Sequence, residues 1–443
     1  MRPFPRTRIS WGRTNLTTTR QRWFSISQSR REVKDVGLLP ERIFPQYQEH
    51  DGSDLISLQW PAPPRNILLV KKNGVLDVTK SMVELANHIQ SSYPDISVIL
   101  EREAAAEVHS SLDFAVYTDL LKDTKSPQDK VDMAITLGGD GTILHASSLF
   151  AASKNVPPIL SFSMGTLGFL GEWKFVEYKR AFREAYMSGA GVGDRSSILE
   201  YPASKGGENL AEGKVERTGW SSVRGRSMGS SRGARILMRN RLKVGVYTPQ
   251  GDRIDGNGGI VRSASNDDGG VHAMNEVIIH RGQEPHLAIV EVFVGGRFLT
   301  EAVADGMIIS TPTGSTAYSL SSGGSIIHPL VPSLLLTPIC PRSLSFRPLV
   351  LPSNTPITLR LSKKNRGRDM MVSIDGMRFA PGIGVGMEVR VQGEEIQGVA
   401  GGLRGGIPCV MRRTTGEDDG NDGWVGGLNG LLKFNYPFGE EDA

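Results

Sequence analysis

The chain of 443 residues is 39% hydrophobic, which suits about two or three domains with buried cores, and no apolar run reaches the roughly 18 residues of a membrane-spanning helix. The net charge of +4 arises at the N-terminus: residues 1–31 contain eight arginines and no acidic residue, whereas the rest, with 43 basic and 47 acidic residues, has a net charge of −4. We therefore expect a soluble protein with no membrane partner, whose folded part has no excess positive charge for binding nucleic acid.

The first 31 residues have the composition of a targeting segment. They are rich in arginine, serine and threonine and contain no continuous apolar stretch. These properties are typical of a mitochondrial transit peptide and not of a secretory signal, so residues 1–31 predict localisation in the mitochondrial matrix. A disordered basic tail is the alternative. The two cysteines, Cys340 and Cys409, are too few for a disulfide framework, which agrees with a reducing compartment.

The next part of the chain predicts a linker followed by an α/β domain. Residues 32–64 are largely polar and end in the sequence PAPP at residues 61–64, which is typical of a stiff linker. Strands alternating with helices then predict a Rossmann-like, doubly wound sheet over residues 65–192. The predicted strands cover residues 66–72, 96–100 and 131–137, and a predicted helix covers residues 79–90.

A glycine-rich turn, GGDGT at residues 138–142, follows the third of these strands. Glycine lets the backbone approach a ligand closely, so the amides of such a turn can bind phosphate oxygens. Asp140 projects a potential base or metal ligand into the same space. Because ligands of doubly wound sheets bind beyond the carboxyl ends of the strands, this turn predicts a phosphate site.

Beyond residue 193 the pattern changes to short strands separated by glycine and proline, which predicts a β-sandwich-like domain over residues 193–409. The predicted strands cover residues 235–247, 276–280, 287–294, 306–310, 357–361 and 370–374. Residues 203–234 and 249–271 are poor in apolar side chains, so we expect mobile surface insertions there. Residues 410–443 are expected to return to the first domain and to pack on it as a helix.

Polar residues flank three of these strands. Asn275 and Glu276 precede an apolar strand and offer donors and acceptors suited to ribose hydroxyls or a carboxamide. Residues 311–318 are dense in hydroxyl groups, whose burial for packing alone is costly, so we expect this turn to contact a polar ligand. Asp375 places a further carboxylate after a strand.

Taken in order, the segments GGDGT, GTLGFL (165–170), AMNEVIIHRG (273–282), DGMIISTPTGSTAYSLSSGGSIIHP (305–329) and TPICPRSLSFRP (337–348) resemble the NAD kinase family. The resemblance extends from about residue 66 to residue 438, apart from the two insertions, and the N-terminal segment makes the chain similar to mitochondrial members. It implies transfer of the γ-phosphoryl group of ATP to the adenosine ribose 2′-hydroxyl of NAD, with Asp140 as the general base.

The resemblance also implies the binding residues and partners. Glycines 139 and 141 would allow close backbone approach, Asn275 and Glu276 would hold the ribose, and residues between 305 and 321 would bind the rest of the dinucleotide. The implied nucleotide-binding residues are Gly139, Gly141, Thr142, Asn275, Glu276, Asp305, Thr313, Thr316, Ala317, Tyr318 and Ser321. It further implies a homo-oligomer, a dimer or a tetramer, with an NAD site shared between subunits. Mg²⁺ is implied on the nucleotide phosphates, with no dedicated set of protein ligands.

Two other functions share parts of this pattern. A lipid kinase of the diacylglycerol or sphingosine type also has a GGDGT turn, but it is not expected to have the Asn275–Glu276 pair or the hydroxyl-dense turn. A dinucleotide-binding module without turnover is the non-enzymatic alternative, which the intact Asp140 disfavours. The sequence distinguishes neither NAD from NADH as acceptor nor ATP from inorganic polyphosphate as donor.

Overall fold

The structure is a computed structural model that describes most of the chain outside its two ends. The described residues are 32–50, 53–120, 129–165, 168–190, 220, 233–256, 258–261, 270–283, 285–367, 369–399, 402–412, 428 and 432. The predicted transit peptide, nearly all of the predicted insertion over residues 203–234 and the predicted C-terminal helix lie outside these residues, apart from single positions.

The N-terminal part contains strands β1 (Val33–Asp35), β2 (Gln46–His50), β3 (Ser53–Gln59), β4 (Asn66–Lys71), β5 (Ser97–Leu100), β6 (Val116–Thr118), β7 (Met133–Gly138), β8 (Ile159–Ser163), β9 (Trp173–Lys174) and β10 (Arg235–Arg239). Its helices are α1 (Leu76–Ser92), α2 (Arg102–Val108), α3 (Asp140–Ser148) and α4 (Tyr178–Met187). None of the helices in the described residues has the length and apolar character needed to cross a membrane.

The C-terminal part contains strands β11 (Leu242–Tyr247), β12 (Arg253–Ile254), β13 (Val271–Ala273), β14 (Glu276–His280), β15 (Ala288–Val294), β16 (Arg297–Ala304), β17 (Gly306–Ser310), β18 (Ser333–Ile339), β19 (Leu349–Pro352), β20 (Ile357–Leu361), β21 (Asp369–Ile374), β22 (Met377–Gly384), β23 (Glu388–Gly393), β24 (Gln397–Val399), β25 (Gly402–Arg404) and β26 (Ile407–Met411). A single helical turn, α5 (Tyr318–Ser321), lies between β17 and β18.

The first domain is an α/β layer structure around one mixed sheet. Among the described strands its order is β1-β6-β5-β4-β7-β8-β26-β10-β3-β2, with β9 beside β8. The pairs from β1 to β26 are parallel, and β10, β3 and β2 continue the sheet antiparallel. Helices α1 and α4 pack on one face and α3 on the other, which confirms the doubly wound arrangement.

Helix α1 illustrates why the sequence folds in this way. Its apolar residues recur at helical spacing, and Val78, Met82, Leu85 and Ile89 are all buried against the sheet. The helix begins at Leu76, three residues before the predicted start. The Thr79 hydroxyl does not cap it, because it donates to the backbone carbonyl of the preceding turn and to Glu107.

The prediction of a linker over residues 32–64 is wrong. Strands β1, β2 and β3 lie in this range and belong to the first sheet, and Trp60 is buried, with its indole N–H donating to the carbonyl of Ala185 at 2.9 Å. Strands β2 and β3 form a local antiparallel pair, but their place in the first sheet depends on β10, a partner of β3 far away in the sequence.

The second domain is a sandwich of two antiparallel sheets around its own core. One sheet has the order β12-β11-β23-β20-β15-β16 with β13 beside β11, and the other has the order β19-β18-β17-β14-β21-β22. The β-sandwich predicted from the change of pattern is therefore confirmed.

The predicted boundaries of this domain need correction. The predicted strand over residues 235–247 is two strands in different domains, since β10 lies in the first sheet and β11 in the sandwich. Strand β26 also lies in the first sheet, so the sandwich does not extend to residue 409. Apolar residues on both faces of these strands are buried, Ile236 on one face and Cys409 on the other. The range 249–271 is not only a surface insertion, because β12 pairs with β11.

Candidate active site

Asp140 is the first residue of α3, directly after the Gly-rich end of β7. Its carboxylate accepts hydrogen bonds from the backbone N–H groups of Phe169 at 2.9 Å and Leu170 at 3.1 Å. A β-carbon at Gly168 would collide with the same carboxylate, so the chain passes as close to Asp140 as glycine allows. The segment after β8 therefore holds this half-exposed carboxylate in one orientation.

The glycines of the turn have different roles. A side chain at Gly138 would collide with the hydroxyl of Thr142, so this glycine is required by packing. Added β-carbons at Gly139 and Gly141 meet nothing within 4 Å, and both residues are exposed. Packing within the described chain thus does not explain these two glycines, which leaves their backbone open to a ligand. Thr142 is buried, and it supports the turn from within.

Asn275 and Glu276 are fixed by the carboxylate of Asp375. It accepts hydrogen bonds from the backbone N–H groups of Met274 at 2.6 Å, Asn275 at 2.7 Å and Glu276 at 3.0 Å. Asp375 has a φ of 47°, the left-handed region that aspartate tolerates better than most residues. The Thr311 hydroxyl donates to the carbonyl of Met274 at 2.6 Å on the other side.

Several buried polar atoms at this place have no hydrogen-bond partner among the described residues. They are Asn275 Oδ1, Glu276 Oε2 and Ser310 Oγ. Burial and the negative charge of Asp375 raise the pKa of Glu276 to about 7, although the N–H of Tyr318 partly offsets this effect. Because buried polar groups are normally paired, these atoms indicate a site for a polar ligand.

The hydroxyl-dense turn satisfies several of its own hydroxyls. Those of Thr311 and Ser315 bond to backbone groups at its core, and that of Thr316 donates to the carbonyl of Thr313. The hydroxyls of Thr311 and Ser315 therefore support the turn, which stays predicted as a whole to contact a polar ligand. Of the other predicted residues, Ala317 is half-buried, and Tyr318 and Ser321 are exposed.

Asp305 lies apart from this cluster within one chain. Strand β17 runs from Gly306 to Ser310 beside β14, and Asp305 precedes the end that faces His280, whereas Glu276 faces Ser310 at the other end. Its carboxylate pairs with Arg281 at 2.6 Å. The structure therefore brings the other predicted residues of the second domain together, but it does not bring Asp305 to them.

Arg239 joins the two domains at the site, although the sequence did not single it out. This buried arginine contacts the hydroxyl of Thr313 at 3.4 Å and the carboxylate of Glu172 at 4.0 Å. Glu172 follows Leu170, which bonds to Asp140, so the hydroxyl-dense turn and the Asp140 turn face one cleft. The available signal was an arginine directly after an apolar strand segment, a position where a buried charge needs partners.

A second junction fixes the relative position of the domains. The Arg241 guanidinium donates to the Glu394 carboxylate at 2.6 and 2.7 Å and to the carbonyls of Phe150 and Ser153, just after α3. The Nδ1 atom of His272 lies 2.8 Å from the carbonyl oxygen of Ala151. Burial lowers the pKa of His272, and the positive charge of Arg241 lowers it further. Helix α3, which begins with Asp140, is thereby tied to the sandwich at its far end.

No group of three or more His, Cys, Asp or Glu side chains forms a metal-binding cluster within the described residues. Each oxygen of Asp140 accepts one backbone N–H, which leaves lone pairs for a further contact. This arrangement fits a Mg²⁺ ion held mainly by nucleotide phosphates, because such ions commonly take only one or two carboxylates from the protein.

Comparisons with known proteins agree with this geometry. Residues 67–189 match the model of the ATP-NAD kinase N-terminal domain, and residues 274–391 match that of the C-terminal domain. The chain is 40% identical to the mitochondrial NADH kinase of Schizosaccharomyces pombe over 92% of this chain and 86% of that protein. It is 33% identical to the mitochondrial NADH kinase of Saccharomyces cerevisiae over 92% and 89%.

The fold is similar as well. The crystal structure of yeast NADH kinase complexed with NADH superposes with a TM-score of 0.70 at 33% identity, covering 93% of this chain and 98% of that chain. Both halves of the cleft, with Asp140 on one side and Asn275 and Glu276 on the other, lie within the matched residues. The chain therefore belongs to the ATP-NAD kinase family.

Proposed function

We propose that the protein transfers the γ-phosphoryl group of ATP to the 2′-hydroxyl of the adenosine ribose of NAD(H), and that NADH is a substrate. One observation carries this proposal: an aspartate fixed by two backbone amides faces a cleft whose opposite wall has two buried acceptors, Asn275 Oδ1 and Glu276 Oε2, that find no hydrogen-bond partner among the described residues. Ribose hydroxyls are donors that can satisfy such acceptors.

In the proposed reaction Asp140 accepts the proton of the 2′-hydroxyl as its oxygen bonds to the γ-phosphorus. The bond from that phosphorus to the oxygen bridging the β- and γ-phosphates breaks, and ADP leaves. Phosphoryl transfer depends mainly on positioning and charge stabilisation, so the anchoring of Asp140 by Phe169 and Leu170 is itself part of the catalysis. The exposed amides of Gly139 and Gly141 are placed to receive phosphate oxygens.

Mg²⁺ would be held mainly by the phosphates of ATP, with the remaining lone pairs of Asp140 available to it, and it would neutralise phosphate charge. The rest of the dinucleotide would contact the predicted residues of the hydroxyl-dense turn. Thr313, Thr316, Ala317, Tyr318 and Ser321 are assigned to this role.

The oligomer and the compartment are also proposals. Asp305 is remote from the cleft of its own chain, which suits a contact with NAD bound to a neighbouring subunit of a dimer or tetramer. The two fungal relatives are mitochondrial NADH kinases, and residues 1–31 have the composition of a transit peptide. We therefore place the protein in the mitochondrial matrix.

The test is a phosphorylation assay with purified protein, ATP and Mg²⁺, in which NAD, NADH, diacylglycerol and sphingosine are offered as separate acceptors. NADP or NADPH should form, and the lipids should remain unmodified. Labelled phosphate on lipid alone would overturn the proposal. Binding of dinucleotide without turnover would instead support the non-enzymatic alternative. Comparing kcat/KM for NAD and NADH then defines the preferred redox form.

A further inference from the structure

Arg239 is a buried charge with weak contacts. Its side chain is 2% exposed, yet Nη1 lies 3.4 Å from the Thr313 hydroxyl and Nη2 lies 4.0 Å from the Glu172 carboxylate. Its Nε atom finds no hydrogen-bond partner among the described residues. The cost of burying an ion pair is offset only by close contacts and full hydrogen bonding. The stability of the fold therefore does not explain why a guanidinium is buried here.

Arg241, two residues further along, shows the contacts of a buried arginine with a structural role. Its guanidinium donates to the Glu394 carboxylate at 2.6 and 2.7 Å and to the backbone carbonyls of Phe150 and Ser153. Both arginine side chains are almost fully buried, so the depth of burial does not account for the difference. The contacts of Arg241 offset its desolvation, whereas those of Arg239 do not.

The first partner of Arg239 leads to the proposed general base. Glu172 lies two residues after Leu170, whose backbone N–H donates to the Asp140 carboxylate at 3.1 Å. A shift of Glu172 therefore moves the segment that orients Asp140.

The second partner of Arg239 leads to the opposite wall of the cleft. Thr313 directly precedes Gly314, where an added β-carbon would collide with the backbone carbonyl of Asn275. The turn that contains Thr313 thus packs directly on the backbone of Asn275. The guanidinium of Arg239 lies between the two halves of the candidate active site.

We propose that Arg239 is a positioning residue for the phosphoryl transfer, an inference that rests on the proposed function. Its guanidinium sets the distance between Asp140 and the dinucleotide bound at Asn275. Arginine suits this role because its separate N–H groups reach two partners at once, whereas the ammonium of lysine is a single point charge. Because Arg239 is almost inaccessible, it acts through Glu172 and Thr313.

The test compares Arg239→Met with wild type in stability, ligand binding and single-turnover rate. Methionine fills the apolar space without the charge, and Glu172, which is 22% exposed, can be hydrated in the variant. We expect the thermal midpoint to stay constant or rise. The Kd values of NADH and of a non-hydrolysable ATP analogue should change little, because Asp375 still holds Asn275. The single-turnover rate should fall about 10- to 100-fold, since a displacement of about 1 Å costs a factor of this size.

Two further variants test the route of the effect. Arg239→Lys should recover part of the rate, because its ammonium group restores the charge but serves one partner at a time. Glu172→Gln should lower the rate as well, and the double variant with Arg239→Met should be no slower than Arg239→Met alone. Additive losses would show that Arg239 does not act through Glu172 and would overturn the proposal.

Hydrogen exchange measures the positioning without turnover. The peptide that contains the N–H groups of Phe169 and Leu170 should exchange faster in Arg239→Met than in wild type, with NADH and the ATP analogue bound. Equal exchange in the two proteins would contradict the proposed role of Arg239.

Two controls separate positioning from stability. Arg241→Met leaves the carboxylate of Glu394 buried without its cation, so the thermal midpoint of this variant should fall. Cys409→Ala removes a third contact of Arg239, the thiol on β26, a strand that contributes no residue to the site. Its single-turnover rate should equal that of wild type.

A normal rate in Arg239→Met beside an active wild type would overturn the inference, and so would a loss that appears only as weaker binding or lower stability. The wild type alone tests the proposed function. If it phosphorylated no dinucleotide, that function would fail, while hydrogen exchange would still show whether Arg239 holds the segment that orients Asp140.

Discussion

The Asp375 carboxylate accepts a hydrogen bond from the backbone N–H of Asn275 at 2.7 Å. The residue directly after β21 therefore fixes the backbone position of Asn275 and Glu276. The same carboxylate holds the N–H groups of Met274 and Glu276. Three backbone donors on one carboxylate fix a short segment more firmly than its own side chains could.

Substitution of Asp375 should therefore affect NADH binding in a graded way. In Asp375→Asn the remaining oxygen can still accept hydrogen bonds from the N–H groups of Asn275 and Glu276. The amide nitrogen, which is a donor, then faces the N–H of Met274 and cannot accept from it. In Asp375→Ala all three donors are lost and the left-handed backbone is strained, with a cost on the order of 3 kcal/mol. We expect the KM for NADH to rise in Asp375→Asn and to rise further in Asp375→Ala, with the KM for ATP nearly constant. Equal changes in both KM values would contradict a positioning role.

Glu276→Gln should stabilise the protein at alkaline pH. The pKa of Glu276 is about 7 in the folded protein and 4.5 as the ordinary value, so the folded state binds the proton more tightly. Stability contributed by the protonated form is complete below about pH 4.5 and is lost as the pH rises through 7. Glutamine resembles the protonated form, so the variant should gain about 3 kcal/mol relative to wild type between pH 5 and pH 8.

Urea unfolding of both proteins at the two pH values measures this gain. The exposed Glu49→Gln is the control, and it should show no pH-dependent difference. A constant difference between Glu276→Gln and wild type across the pH range would mean that the carboxyl group does not titrate in the window given.

Asp140→Asn should lower kcat by about 10²- to 10⁴-fold, the usual contribution of a general base, while the Kd for NADH changes little. An asparagine can accept from only one of the two amides of Phe169 and Leu170, so part of the loss will come from orientation. Single-turnover kinetics and NADH titration measure the two effects. Near-normal turnover in Asp140→Asn would remove Asp140 from the mechanism.

Gly141→Ala should raise the KM for ATP without lowering the stability of the fold. The added methyl group lies within 4 Å of none of the described atoms, and alanine is preferred to glycine in a helix. The free energy of unfolding should therefore stay constant or rise by up to about 1 kcal/mol. The same methyl group occupies the space proposed for phosphate, so the KM for ATP should rise. Gly168→Ala is the contrasting variant, because its side chain collides with Asp140 and should reduce stability as well. An unchanged KM for ATP in Gly141→Ala would argue against a phosphate at this turn.

The sequence predicted those parts of the fold and site that depend on local pattern. The spacing of Met82, Leu85 and Ile89 indicated α1, and the unusual glycines indicated the turn around Asp140. The pair Asn275–Glu276 was also recognised as a polar site before a strand. In each case neighbouring residues in the sequence contain the whole signal.

The parts that were missed depend on pairing between distant segments. The place of the β2–β3 pair in the first sheet depends on β10, which lies far along the chain. Strand β10 looked continuous with β11 because no glycine or proline separates them. Arg239 was overlooked because arginine usually faces solvent, whereas here it contacts Glu172 in its own domain and Thr313 across the domain boundary. Only the three-dimensional structure reveals a buried atom such as Asn275 Oδ1, for which the described part of the chain offers no hydrogen-bond partner.

The placement of β26 has a consequence for biogenesis. The sheet that supports Asp140 receives one of its inner strands from residues 407–411, between β8 and β10. A nascent chain therefore exposes two unpaired strand edges until residues 407–411 have been synthesised, and closing this sheet is a slow, non-local step. The kinase cannot mature domain by domain from its N-terminus. The nascent chain stays open for chaperones for as long as this strand is missing.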